Sequence, residues 1–271
     1  CTDRMDYLAP MSNNLGYSLA VEKLLGIEVP EKVKWARVIL AELTRINSHL
    51  VWLGTHALDL GAMSMLLYAF RERELILDVY EACGGQRMMT SYIRIGGLAH
   101  DLPKDFDRKV RDIIATLTAR LEDYEGLLTR NEIFINRTKG VAVISAEDAL
   151  NWSLSGPMLR GSGVARDLRK DEPYSGYENF DFQIALGHNG DAYDRYLLRM
   201  EEIRQSLRIC RQGIDGLPEG PYRAHVPGVV LPPKEDVLYK MESMIFHFKI
   251  ITEGFAAPLG SVYQAIESPK G

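Results

Sequence analysis

The sequence predicts a mainly α-helical chain with small β elements, an α+β class. Long segments repeat apolar residues at helical spacing, and only short runs look extended. Apolar residues are 46 % of the 271, enough for a sizeable core. Glycine and proline cluster between the helical segments rather than inside them. One domain over 1–271 is expected, with a helical core at about 7–130 and 190–254. A less regular, β-containing segment is expected at about 140–190.

The elements follow in order. Leu15, Leu19, Leu24 and Leu25 put a helix over Met11 to Leu25, ended by Gly26. Pro30 opens the next, which runs over 31 to 58. Its stripe is Ile39, Leu43, Ile46, Leu50 and Leu53, with Lys34, Glu42 and Arg45 elsewhere on the wheel. A third helix covers about Met63 to Ala82 and stops at Gly84-Gly85. "SYIRIGGLAHDLP" reads as a loop or short extended piece. A fourth helix runs from near Lys104 past Leu128. "GVAVISAEDAL" suggests a short strand, then a short helix. Nearly forty Gly- and Ser-rich residues follow, long for a plain loop and so expected to be functional or to pack on a partner. Asp191 to Gly213 is helical, "GLPEGPYRAHVPGVVLPPKED" is a connector, Lys234 to Gly254 is the last helix, and "GSVYQAIES" looks like a strand.

Bulk properties exclude some classes. Lys plus Arg number 32 against 37 Asp plus Glu, so the net charge is −5 and nucleic acid is not an expected partner. Cys1, Cys83 and Cys210 form no metal-spacing pair, which fits a reducing, cytoplasmic compartment. Residues 50–70 are long enough to span a bilayer, but Asp59 at the centre costs about 2.5–3.5 kcal/mol there. The run breaks at "DLGAMS" and reads as two buried helices. No signal peptide is visible. The start at Cys1 and the abrupt "ESPKG" read as a piece of a longer subunit.

Few residues stand out chemically. Asp59 in an apolar stretch is either a cap for the helix after it or a buried carboxylate. The second case demands a His, Arg or Tyr partner, or a proton. Arg4, Asp6 and Tyr7 crowd together, as residues of solvated turns often do. The six histidines lack metal-binding spacing and read as surface or satisfied core. "FRERELILD" reads as a salt-bridged face. "RGSG" at 160–163 could cradle an anion, weakly supported by its glycines alone. No nucleotide-binding glycine motif or Ser/His/Asp order is present.

The order of longer motifs is more specific. "RMDYLAPMSNNLGYSLAVEKLLGIEVP", "ILAELTRINSHLVWLGTHALDLGAMSMLLYAFRERELILD", "GGQRMMTSYIRIGG", "LRGSGVARDLRKDEPYSGY" and "FHFKIITEGF" together resemble the D subunits of respiratory complex I. These form the quinone-site family of proton-pumping NADH:quinone oxidoreductase. That family resembles the large subunit of nickel–iron hydrogenases, so a helical core of that kind is implied. Hydrogenases carry nickel-binding cysteines where this chain has Asp6 and Ala9, with Asn13 at the place of a following histidine. Soft sulfur ligands being lost, nickel is not expected, and this chain is expected to ligate no metal.

The resemblance implies a quinone as substrate, reduced beside a terminal [4Fe–4S] cluster that an adjacent iron–sulfur subunit holds. Tyr7 matches a quinone-contacting tyrosine. A phenol is a poor acid toward water but adequate toward a quinol dianion. Asp59 matches the acid paired with a histidine that lies upstream of Cys1 in the family. Arg4, Asp6, Met88, Met89 and Arg94 fall in the quinone and cluster environment, Arg94 being equally well explained by a structural ion pair. Many members carry His at the place of Met89. Met cannot titrate, so a cluster potential with weak pH dependence follows. Implied partners are the iron–sulfur subunit and the membrane subunit at the quinone channel. The implied setting is the peripheral arm, on the cytoplasmic side of the inner (plasma) membrane. Alternatives are a ferredoxin- or deazaflavin-driven complex, a membrane-bound hydrogenase subunit, disfavoured by Asp6 and Ala9, and a non-catalytic scaffold. The chain alone is expected to be inactive.

Overall fold

A computed structural model describes Cys1–Gly271. A 3₁₀ turn over Thr2–Arg4 leads into α1 (Pro10–Leu25). Proline at the first helical position suits it, since its missing N–H would find no partner there. Gly26 ends α1 at φ 65°, a left-handed conformation glycine adopts without a Cβ clash. The long α2 (Glu31–Asp59) follows, then α3 (Ser64–Gly84), a hairpin of β1 (Ile93–Arg94) and β2 (Gly97–Leu98), and α4 (Phe106–Leu128). Short helices α5 (Glu132–Thr138), α6 (Ala146–Asn151), α7 (Gly156–Gly161) and α8 (Leu168–Asp171) precede α9 (Ala192–Gly216). Helices α10 (Lys234–Tyr239) and α11 (Met241–Thr252) come last.

Helix α2 is the axis of the molecule. It packs against α3 and α9, and α4 closes the bundle against both. The stripe read from sequence is buried as expected: Ile39, Leu43, Ile46, Leu50 and Leu53 lie at 0–1 % exposure. The polar face is not solvated. Arg37, Glu42 and Arg45 are equally buried, because the middle of α2 is covered on all sides. Close approach of α9 is set by Gly213, where an added Cβ would lie 2.6 Å from Ile39 Cγ1.

Several sequence expectations need correction. The strand at the start of "GVAVISAEDAL" is absent, and residues 140–190 hold turns and short helices with no strand. Ile144 and Gly190 instead share a single backbone bond, N–H to O 3.0 Å. "GSVYQAIES" forms no strand and pairs with none. The helix expected over 234–254 is broken at Lys240, whose ψ of 122° interrupts the helical backbone. The chain over 50–70 does break into two helices, but its second half is largely exposed, Met63 and Leu67 each at 69 %. No helix is long and apolar enough to cross a membrane. The only sheet falls in "SYIRIGGLAHDLP", where the sequence pattern is compatible with either a loop or a short extended piece.

Candidate functional site

The hairpin is fixed first. The Arg37 guanidinium, fully buried, donates to both Glu22 oxygens at 2.8 and 2.6 Å. It also donates to the Arg94 and Gly97 carbonyls at 2.8 and 3.2 Å. Glu22 Oε1 accepts from Gly96 N at 2.7 Å. This fork ties α1, α2 and the β1–β2 turn together, the geometry arginine is suited to. Arg94 itself is exposed, and its Nε donates to Ser91 O at 3.0 Å rather than to a carboxylate. The structural ion pair considered for it is therefore not formed.

The N-terminal turn is fixed next. Asp3, 8 % exposed, accepts from Asn14 Nδ2 at 2.7 Å and from Ser91 N at 3.3 Å through one oxygen. Thr2 Oγ1 donates to Asn14 Oδ1 at 2.6 Å. The turn that bears Arg4 is thus clasped to α1 and to the loop carrying Met88 and Met89. Met88 packs against the core and Met89 is half-buried. Arg4 is exposed. Asp6 is half-buried; its Oδ1 accepts from Leu8 N at 3.1 Å and from Lys270 Nζ at 2.9 Å. Tyr7 projects from this turn, 61 % exposed, near Met5 at 77 %.

Asp59 fits neither sequence reading. It is the last residue of α2, exposed, and α3 begins after Met63 without a side-chain cap. It is therefore neither a buried carboxylate nor a helix cap. An acid at a helix C-terminus faces the negative end of the dipole, so helix stability does not explain it. Its charge acts on His56, one turn back, whose pKa burial pushes down and Asp59 pulls up. Asp59 lies 22 residues beyond Arg37, about 33 Å along the helix axis. Arg94 is thus anchored near one end of α2, and Asp59 lies at the other. The apolar Met63 and Leu67 stand exposed just past Asp59. Tyr7 and Asp59 are both exposed.

Residues 59–271 match the family described as the 49 kDa subunit of respiratory-chain NADH dehydrogenase. The chain belongs to that family. A relative from Geotalea uraniireducens (strain Rf4), the D subunit of an NADH-quinone oxidoreductase, is 56 % identical over 270 residues, covering 100 % of this chain and 69 % of the relative. The first of the numbered D subunits of NADH-quinone oxidoreductase in Solibacter usitatus (strain Ellin6076) is also 56 % identical, with 66 % of its length covered. The second such D subunit in Chloroflexus aurantiacus (strain ATCC 29366 / DSM 635 / J-10-fl) is 57 % identical over 273 residues, 66 % of it covered. As a member of the 49 kDa family the chain is part of an oxidoreductase complex. The N-terminal turn with Tyr7 lies outside the residues matched by the family description but inside the stretch shared with all three relatives.

This family member also holds a charged core that sequence reading missed. Glu42, fully buried, accepts from Arg169 Nη1 at 3.1 Å, Tyr177 OH at 2.6 Å and Ser206 Oγ at 2.6 Å. Arg160, far from cradling an outside anion, is fully buried and donates to Glu202 at 2.7 Å and Glu267 at 2.8 Å. His49 Nε2 lies 2.7 Å from Glu202 Oε2. Burial alone would raise the Glu202 carboxyl; the His49 bond, with Arg160 and Arg45, outweighs it and holds the group well below the usual range. Charged residues on successive turns of a helix with a strong apolar stripe were the available signal, Glu42 and Arg45 on α2 above all.

Proposed function

We propose that this chain supplies one wall of a quinone-reducing site in a proton-pumping NADH:quinone oxidoreductase, with Tyr7 as the group that touches substrate. The observation that carries it is Tyr7 itself. A phenol held on a hydrogen-bonded turn, 61 % exposed beside the exposed Met5, is costly to leave bare and suits an apolar ring with a carbonyl to bond. A neighbouring subunit closes the other wall. The naming of the relatives for NADH favours it over a ferredoxin or deazaflavin as electron source.

Reduction of a quinone takes two electrons and two protons. The electrons would come from a cluster held by an adjacent iron–sulfur subunit. Tyr7 donates a hydrogen bond to one carbonyl, passes its proton as that oxygen becomes basic, and regains one from water. Asp59, at the far end of α2, assists the second proton through a histidine in the part of the subunit that precedes Cys1. Arg4 and Arg94 add positive charge where the cluster becomes more negative on reduction. Met89 leaves that cluster without a titrating neighbour at its position. The membrane subunit at the quinone channel is the further partner, and the complex's peripheral arm on the cytoplasmic side is the setting.

The test is Tyr7→Phe in the assembled complex. Quinone-dependent NADH oxidation falls on the order of 10²-fold, the lower range for a lost proton donor. NADH oxidation by a soluble acceptor that takes electrons before this subunit stays at the parent rate. Quinone reduction at the parent rate in Tyr7→Phe overturns the proposal.

A further inference from the structure

The candidate proton donor is placed by a residue outside the series read from sequence. We propose that Asn13 is a positioning residue for the Tyr7 phenol, an inference that rests on the quinone reading above.

Asn13 Nδ2 donates to the carbonyl oxygen of Asp6 at 3.0 Å. That oxygen belongs to the peptide unit joining Asp6 to Tyr7. It accepts a second bond from Ala9 N, also at 3.0 Å. Two donors on one carbonyl fix the plane of a planar peptide, and with it the direction in which the Tyr7 chain sets out. The Asp6 carboxylate closes the same turn from the other side by accepting from Leu8 N, an Asx-type bond. These contacts hold the backbone around Tyr7 and leave the ring outside.

Asn13 is well anchored for this task. It lies in the first turn of α1, its own N–H bonded to Ala9 O at 3.2 Å, and Met11, Ser12 and Asn14 around it are buried. Its side chain is not a helix cap. Caps accept from the free N–H groups of the first turn, whereas this amide donates backward, out of the helix. Its only bonded partner is the loop that presents Tyr7. The hydroxyl is the atom of Tyr7 farthest from the backbone, so a small turn of the Asp6–Tyr7 peptide displaces it most. Misplacement of a reacting group by an ångström costs up to about 10²-fold in rate.

The experiment is a double-mutant cycle in the assembled complex. Asn13→Leu and Asn13→Asp both remove the amide donor, and Asn13→Gln keeps one. In the Tyr7 parent, Asn13→Leu and Asn13→Asp lower kcat/KM for a short-chain quinone on the order of tenfold, and Asn13→Gln recovers part of it. On a Tyr7→Phe background the same substitutions change kcat/KM by less than about twofold, because the group they position is already gone. An equal loss on both backgrounds, or the parent rate in Asn13→Asp, overturns the inference. If Tyr7→Phe alone turns over quinone normally, the quinone reading fails instead. The variants are compared as purified complexes of equal subunit content, and NADH oxidation by the early acceptor stays at the parent rate throughout.

Discussion

Likeness to a family singles out Tyr7 and Asp59, and their surroundings show why composition alone could not. Each is exposed, and neither is buried among partners that would advertise a function. The buried titrating groups are elsewhere. Burial lowers the His49 pKa against the pull of Glu202, and the His49 bond and nearby arginines hold Glu202 low. Both depressed values have the same sign for stability. The neutral histidine and the ionised acid are each favoured by the fold. The contribution of each is therefore complete above its unfolded pKa, ~6.5 for His and ~4.3 for Glu, and is lost as pH falls below it. Thermal unfolding followed from pH 8 to 4 is expected to show a first loss of stability below about pH 6.5 and a steeper one below about 4.3. In His49→Gln the first step shrinks to the part that the likewise depressed His56 supplies, and the second remains. A first step of unchanged size in His49→Gln assigns it to another group.

At the scale of elements, the long helices were legible and the extended segments were not. Helix α2 repeats apolar residues through about eight turns, a signal that no local feature contradicts. "GVAVIS" and "GSVYQAIES" have the composition of strands, but a strand needs an adjacent edge, and edges are properties of the whole fold. The same limit hid the polar side of α2. Glu42 and Arg45 look like a solvated face until α9 and α8 cover them. The Asn13 bond was invisible for a related reason: seven residues separate donor and acceptor, on a helix and on the turn before it. Contact between α2 and α9 depends on Gly213, since any Cβ there meets Ile39. Gly213→Val overpacks that seam and is expected to cost about 1–3 kcal/mol, seen as a lower urea midpoint with unchanged slope. A small residue at position 39, Ile39→Ala, relieves part of the clash in the double variant.

The whole molecule is organised around ionic contacts. Arg160 meets Glu202 and Glu267, Arg169 meets Glu42 and Asp167, and Arg45 donates to the Glu267 and Ser268 carbonyls. Such buried groups gain little over apolar packing when complete, yet removing one partner leaves an uncompensated charge. Arg160→Leu strands two carboxylates at once. It is expected to destabilise the fold by about 3–5 kcal/mol, so that little of the protein enters the complex. Adding Glu202→Gln is expected to recover part of that loss; the same deficit in Arg160→Leu and in the double variant argues that the arginine acts through packing.

The tie between Arg45 and Glu267 spans 222 residues. A ribosome working at about 5–20 residues per second needs on the order of 10–45 seconds to make that stretch. Through all of it the central helix exists as nascent chain with its charges still awaiting their counterparts. The bundle cannot set in its final form as it emerges, and the protein is expected to depend on a holding chaperone until its distal residues are translated.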